Sequence, residues 1–116
     1  MISIKEYAAN FSTIMDAFLK IGSKVILITS GPVVEPIVNT SPEMKATDIT
    51  WKNADIQTCE DALNVIAREY NLPLVDLVST YSTNPNPGLY VPDSLHPGSE
   101  RHQILIEKVF DSILTY

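Results

Sequence analysis

The run Val25-Ile26-Leu27-Ile28-Thr29 constrains the fold more than any other feature of the chain. All five residues are β-prone and nothing alternates, so neither face of the strand they predict is suited to water. A strand with two apolar faces belongs in a parallel sheet covered by helices on both sides. Ser30-Gly31-Pro32 breaks it. Leu72-Pro73-Leu74-Val75-Asp76-Leu77 predicts a second short buried strand, with Pro73 at its start, where a missing N–H is tolerated.

Three amphipathic helices surround these strands. Ile4, Tyr7, Ala8, Phe11, Ile14, Met15 and Phe18 recur at helical spacing, Ser3 and Glu6 have capping-box spacing, and Gly22 suits the position just past the end, so residues 4–20 are predicted helical. Ile56, Cys59, Leu63, Ile66 and Tyr70 form the stripe of a second helix over about 53–70, stopped by Asn71 and Pro73. Leu105, Ile106, Val109, Phe110, Ile113 and Leu114 mark a third, from about 98 to 114. Between them, 31–52 is irregular because Pro32, Pro36 and Pro42 forbid a helix, with Trp51 near its end as a candidate anchor to the core, and 79–92 is turn-rich. Strands alternating with helices argue for an α/β layer fold. A typical sheet has about four to six strands. Only two are strong here, and 116 residues leave room for one domain, so the chain reads as part of a domain.

Composition excludes several classes. Fourteen acidic residues against eight basic ones give a net charge of -6, and the cations are scattered, unlike the clustered charge of a nucleic-acid binder. No apolar run approaches the roughly 20 residues of a membrane span, and the N-terminus lacks signal-peptide character, which makes a cytoplasmic location the expectation. A single cysteine, Cys59, excludes an internal disulfide and a cysteine-rich metal site. His96, His102, Asp93 and Cys59 form no metal pattern, and neither a metal nor a cofactor is expected.

The chemistry points to Val91-Pro92-Asp93-Ser94-Leu95-His96-Pro97, between the second strand and the last helix. A neutral imidazole can take a proton from a hydroxyl, and a carboxylate fixes its tautomer and stabilises the imidazolium. Asp93, three residues before His96, is near enough for one loop to supply both the base and its orienter. Other candidates read more plainly. His102 is a partly exposed helix residue, Asp76 organises a loop, Ser30 lies in a turn with no nucleophile elbow, and Cys59 belongs to the core. The sequons at Asn10 and Asn39 carry no weight without a secretion signal.

Asp93-Ser94-Leu95-His96-Pro97 resembles the Asp-x-x-His-Pro block of the SGNH (GDSL-type) ester hydrolases. Residues 3–18, 25–29 and 62–77 resemble the family's helix before its fourth strand, that strand, and the helix and fifth strand upstream of the catalytic loop; the nearest branch is the isoamyl-acetate-hydrolysing esterases. The resemblance covers essentially the whole chain but only the second half of the family's domain. It implies the C-terminal half of a flavodoxin-like three-layer sandwich over residues 1–116, with Asp93 and His96 as catalytic residues. Leu89, Tyr90 and Val91, just before the block, are candidates for an acyl pocket by position.

The family's Gly-Asp-Ser nucleophile block, its second glycine block and its Gly-x-Asn-Asp block are absent from the sequence. Asn53-Ala54-Asp55 has the wrong spacing, and the family asparagine would lie upstream of Met1. Arg101 departs from the glycine many members carry after His-Pro. The resemblance therefore implies a fragment of a serine ester hydrolase (an esterase or lipase), without nucleophile and inactive alone. The alternatives are one subunit of a split esterase, partnered by a chain supplying the N-terminal half, and a non-catalytic binding protein that keeps the half-scaffold. Self-association through the exposed edge of the strand at 25–29 is a further expectation.

Overall fold

The structure, a computed structural model, describes residues 2–33, 52–82 and 98–116. Helix α1, Ile4–Lys20, opens with the predicted capping box. The Glu6 N–H donates to Ser3 Oγ at 3.2 Å, and the Ser3 N–H donates to Glu6 Oε2 at 2.8 Å. The bonds that its Oε2 accepts from the Ser3 N–H and the Ser3 hydroxyl hold the Glu6 carboxyl below its ordinary pKa. Gly22, at φ 81°, ends the helix, with the Ser23 N–H donating to the Phe18 carbonyl at 3.1 Å. This left-handed conformation is cheap only without a Cβ. Helix α2, Asn53–Glu69, stops in the same way at Asn71, φ 53°, with the Leu72 N–H on the Ala67 carbonyl at 2.8 Å. Asn tolerates that conformation better than most residues do.

Strands β1, Leu27–Ile28, and β2, Leu74–Val75, pair in parallel with Leu27 opposite Leu74 and Ile28 opposite Val75. The Leu27 and Thr29 N–H groups donate to the carbonyls of Pro73 and Val75, each at 3.0 Å. Side chains alternate across the sheet. Val25, Leu27, Leu72 and Leu74 join Met15 of α1 and Leu63, Ile66 and Ala67 of α2 on one face. Ile26 and Val75 join Leu77, Tyr81 and the Ile104, Leu105 and Val109 side chains of the last helix on the other. The result is a helix-rich α/β arrangement with a two-stranded parallel sheet between helical layers. No helix among the described residues is long and apolar enough to cross a membrane.

Three details differ from expectation. The paired strands are shorter than the apolar runs. Leu77–Ser82 forms a short helix, α3, where the sequence suggests strand end and turn. Asp76 explains this: its Oδ1 accepts the Ser79 N–H at 2.8 Å and its Oδ2 accepts the Ser79 hydroxyl at 2.6 Å, an N-cap three residues ahead of its partner. The loop-organising role expected of Asp76 thus takes the form of a helix cap. Finally, Ile28 is 43% exposed. The last helix, α4, Ser99–Leu114, lies where its stripe places it, and His102 is exposed on it. Cys59 is half-buried on α2. Trp51 lies outside the described residues.

Candidate active site

In open α/β sheets ligands collect beyond the carboxyl ends of the strands. Here that rim is built by Thr29 to Val33 after β1, by Asp76 and α3 after β2, and by the start of α4. Thr29, buried at the end of β1, accepts the Leu77 N–H on its Oγ1 at 2.8 Å. That satisfies one of the donors that a helix start leaves without an intrahelical partner.

Val33 and Asn53, which flank 34–51 in sequence, meet at this rim. The Val33 N–H donates to Asn53 Oδ1 at 2.8 Å, and Asn53 Nδ2 donates back to the Val33 carbonyl at 2.9 Å. The described flanks of 83–97 are joined by Tyr81 of α3 and Arg101 of α4. Arg101 is 2% exposed, and its guanidinium lies 3.9 Å from the centroid of the Tyr81 ring. The Tyr81 hydroxyl donates to the Arg101 carbonyl at 2.8 Å. Arg101 Nη1 donates to the Pro32 carbonyl at 3.1 Å, which ties the described flanks of both segments together. Gly31 lets this packing close: a Cβ there would stand 2.9 Å from Tyr81 Cδ2 and 3.4 Å from Arg101 Nη1. Arg101 is therefore a structural element of this rim.

Behind the rim, Glu60 of α2 is 3% exposed and shares a hydrogen bond with Asp76. Burial, the bond to Asp76 and the nearby carboxylates push the Glu60 pKa up to about 7. Burial also acts to raise Asp76, but the bonds it accepts from Glu60, Ser79 and the Val78 N–H outweigh it and hold Asp76 below its ordinary value. Gln57 Nε2 donates to Glu60 Oε2 at 2.9 Å and to Asp61 Oδ1 at 3.0 Å. Glu60 therefore favours its protonated form beside the Asp76 carboxylate. Glu60 is sealed from solvent and Asp76 is committed to its cap, so the pair supports the rim from within.

The sequence-predicted site residues Asp93, His96, Leu89, Tyr90 and Val91 lie outside the described residues; what the structure places is the flanks of their segment. Sequence reasoning missed Glu60, Tyr81 and the role of Arg101. A visible signal was the Asp-x-x-Ser cap at 76–79; the Glu60–Asp76 and Arg101–Pro32 contacts join distant residues and left no local trace.

The sequence matches no protein-family model and no curated protein. Among solved structures, the fold is similar to the esterase domain of the ZfL2-1 ORF1 protein from the zebrafish ZfL2-1 retrotransposon, with a TM-score of 0.75 and 14% identity. The fold is shared with that esterase domain. The similarity covers 100% of this chain and 62% of that chain, so the sandwich seen here corresponds to part of the zebrafish domain.

Proposed function

We propose that residues 1–116 are the base-carrying part of an SGNH-type carboxylic-ester hydrolase domain in the cytoplasm. In this reading His96 is the general base, Asp93 its orienter, and the rest of the sandwich supplies a serine and the oxyanion donors. The observation that carries the reading is the esterase-domain fold over the whole chain. The clamped flanks of 83–97 at the strand ends agree with it.

The chemistry is acyl transfer. The serine Oγ bonds to the ester carbonyl carbon as His96 takes its proton. The tetrahedral intermediate collapses, and His96 protonates the departing alcohol. Water, deprotonated by His96, then attacks the acyl-serine; the acid leaves and the serine recovers its proton. Asp93 keeps the imidazole in the productive tautomer and stabilises its charged form. Leu89, Tyr90 and Val91 line the acyl side. Each oxyanion donor contributes about 10²–10³-fold, so the chain by itself is expected to hydrolyse p-nitrophenyl acetate no faster than His96→Ala does. Turnover lost in that variant would instead make one of the chain's own serines the nucleophile.

The pair is tested directly by NMR titration of the His96 ring. A carboxylate beside an imidazole favours the charged form, so the His96 pKa is expected to lie above the ordinary histidine value and to fall in Asp93→Asn. Identical titrations in the two proteins would reject the catalytic pair and favour a non-catalytic binding scaffold.

A further inference from the structure

We propose that the carboxyl pair Glu60–Asp76 is a proton-operated latch on the rim: it holds α3, and with it the Tyr81–Arg101 stack, in place while Glu60 is protonated, and loosens both when Glu60 ionises. This inference rests on the contacts of the described residues and not on the hydrolytic chemistry.

The weak element is α3. Its six residues, Leu77–Ser82, are too few for a helix to stand on its own hydrogen bonds. Its first turn hangs on Asp76 and Thr29. The Asp76 carboxylate accepts the Ser79 N–H and the Ser79 hydroxyl, the Asp76 carbonyl accepts the Thr80 hydroxyl at 2.6 Å, and Thr29 Oγ1 accepts the Leu77 N–H. Its last turn carries Tyr81, which is buried, stacks on Arg101 and donates to the Arg101 carbonyl. The cap and the ring thus sit at the two ends of one short helix. A lost N-cap weakens the helix it starts, and in α3 that loss reaches Tyr81 within the same few residues.

The charges around the pair set the direction of movement. Glu60 is buried on α2 and hydrogen-bonded to Asp76, and a bond between two carboxyl groups needs a proton on one of them. Asp61 adds negative charge from α2 itself, and Gln57 donates to both Glu60 and Asp61. On its other side Asp76 shares the walls of a hollow of about 400 Å³ with Lys108 and Asp111 of α4, one charge of each sign. The end of β1 meets α3 with Thr29, which is neutral. Once Glu60 ionises, two carboxylates lie at hydrogen-bond distance where water screens them poorly. Glu60 is fixed in a helix of 17 residues whose Leu63, Ile66 and Ala67 belong to the core. Asp76 leads into α3 and borders the hollow. Asp76 is therefore the group that moves, and the cap goes with it.

The test is an NMR titration of the full chain, in a His102→Gln background so that no imidazole adjoins Arg101 in sequence. The Arg101 δ-methylene, next to the guanidinium above the Tyr81 ring, reports the stack through its ring-current shift. From about pH 5.5 to about 8.5 it is expected to lose most of that shift, with the same midpoint as the Glu60 carboxyl carbon, while exchange of the Tyr81 amide, corrected for the intrinsic rate, rises on the order of tenfold. Glu60→Gln keeps a donor to Asp76 and has no proton to lose. Asp76→Asn keeps a capping oxygen and carries no charge. Each should hold the stack closed over the whole range. An Arg101 shift that stays constant in the parent chain, that moves with a midpoint other than that of Glu60, or that moves equally in both variants overturns the proposal, as does a stack that is open at every pH. None of these measurements involves hydrolysis, so failure here is distinct from failure of the catalytic reading.

Discussion

Arg101→Ala is expected to lower the unfolding free energy by about 3 kcal/mol, from a lost charge-assisted hydrogen bond, a lost desolvated cation–π contact and the hole left behind. The guanidinium is buried, stacks on Tyr81 and donates to the Pro32 carbonyl, so truncation also leaves that carbonyl without this donor. Arg101→Lys keeps the charge but not the planar fork, and should recover less than half of the loss. Gly31→Ala presses a methyl group into the Tyr81 ring edge and should cost about 1–3 kcal/mol by overpacking. Because both substitutions act on one ring, the double variant should cost measurably less than the sum of the two. Urea unfolding of the four variants checks this. A loss under 1 kcal/mol for Arg101→Ala, or strict additivity with Gly31→Ala, would mean that the cluster does not act as a unit.

The same cluster shows why the rim was harder to read than the layers. Periodicity is a local signal, and it located α1, α2 and α4 because each helix carries its stripe, caps and stops within its own residues: Ser3 and Glu6, Gly22, Asn71. The two-faced character of 25–29 likewise pointed to a parallel sheet before any pairing partner was visible. α3 was lost because Leu77 and Val78 are β-prone and Ser79 and Thr80 look like turn residues; the cap at Asp76 decides between the two, and it needs Thr29 as well, 48 residues away. Arg101 stood out only as a departure from a family glycine, since its partners Pro32 and Tyr81 lie 69 and 20 residues off. Glu60 sits in sequence between Cys59 and Leu63, at the margin of the α2 stripe, where a carboxylate ordinarily faces water. Its burial depends on Asp76, and no pattern within α2 announces that.

The contribution of Glu60 to stability is expected to fall, by on the order of 1–3 kcal/mol, as the pH rises from 4.5 to above 7, and Glu60→Gln is expected to remove that part of the pH dependence. The sign follows from the protons held. Glu60 has its ordinary pKa of 4.5 in the unfolded chain and about 7 in the folded one. Between those values the folded state holds more protons than the unfolded state, so each step up in pH favours unfolding. The stabilisation is complete below 4.5 and gone once the folded group ionises. Asp76 acts in the opposite sense: its folded pKa lies below the ordinary 3.8, so its contribution is present above that value and is lost as acid protonates it. Together they set a maximum between about pH 4 and 5 from this pair. The physical event above pH 7 is the loss of the Glu60 proton, which leaves two carboxylates face to face with Asp61 adding to the repulsion. A glutamine at position 60 donates to Asp76 from an amide that has no proton to lose in this range, and still accepts from Gln57. Its urea-unfolding profile should therefore decline less from pH 5 to 8 than that of the native chain. Parallel profiles for the two proteins would show that Glu60 does not hold its proton beside Asp76. The Ser79 and Thr80 amides report the same event locally: in the native chain their exchange protection, corrected for the intrinsic rate, should weaken above pH 7 as Asp76 is repelled from the α3 cap, and in Glu60→Gln it should not.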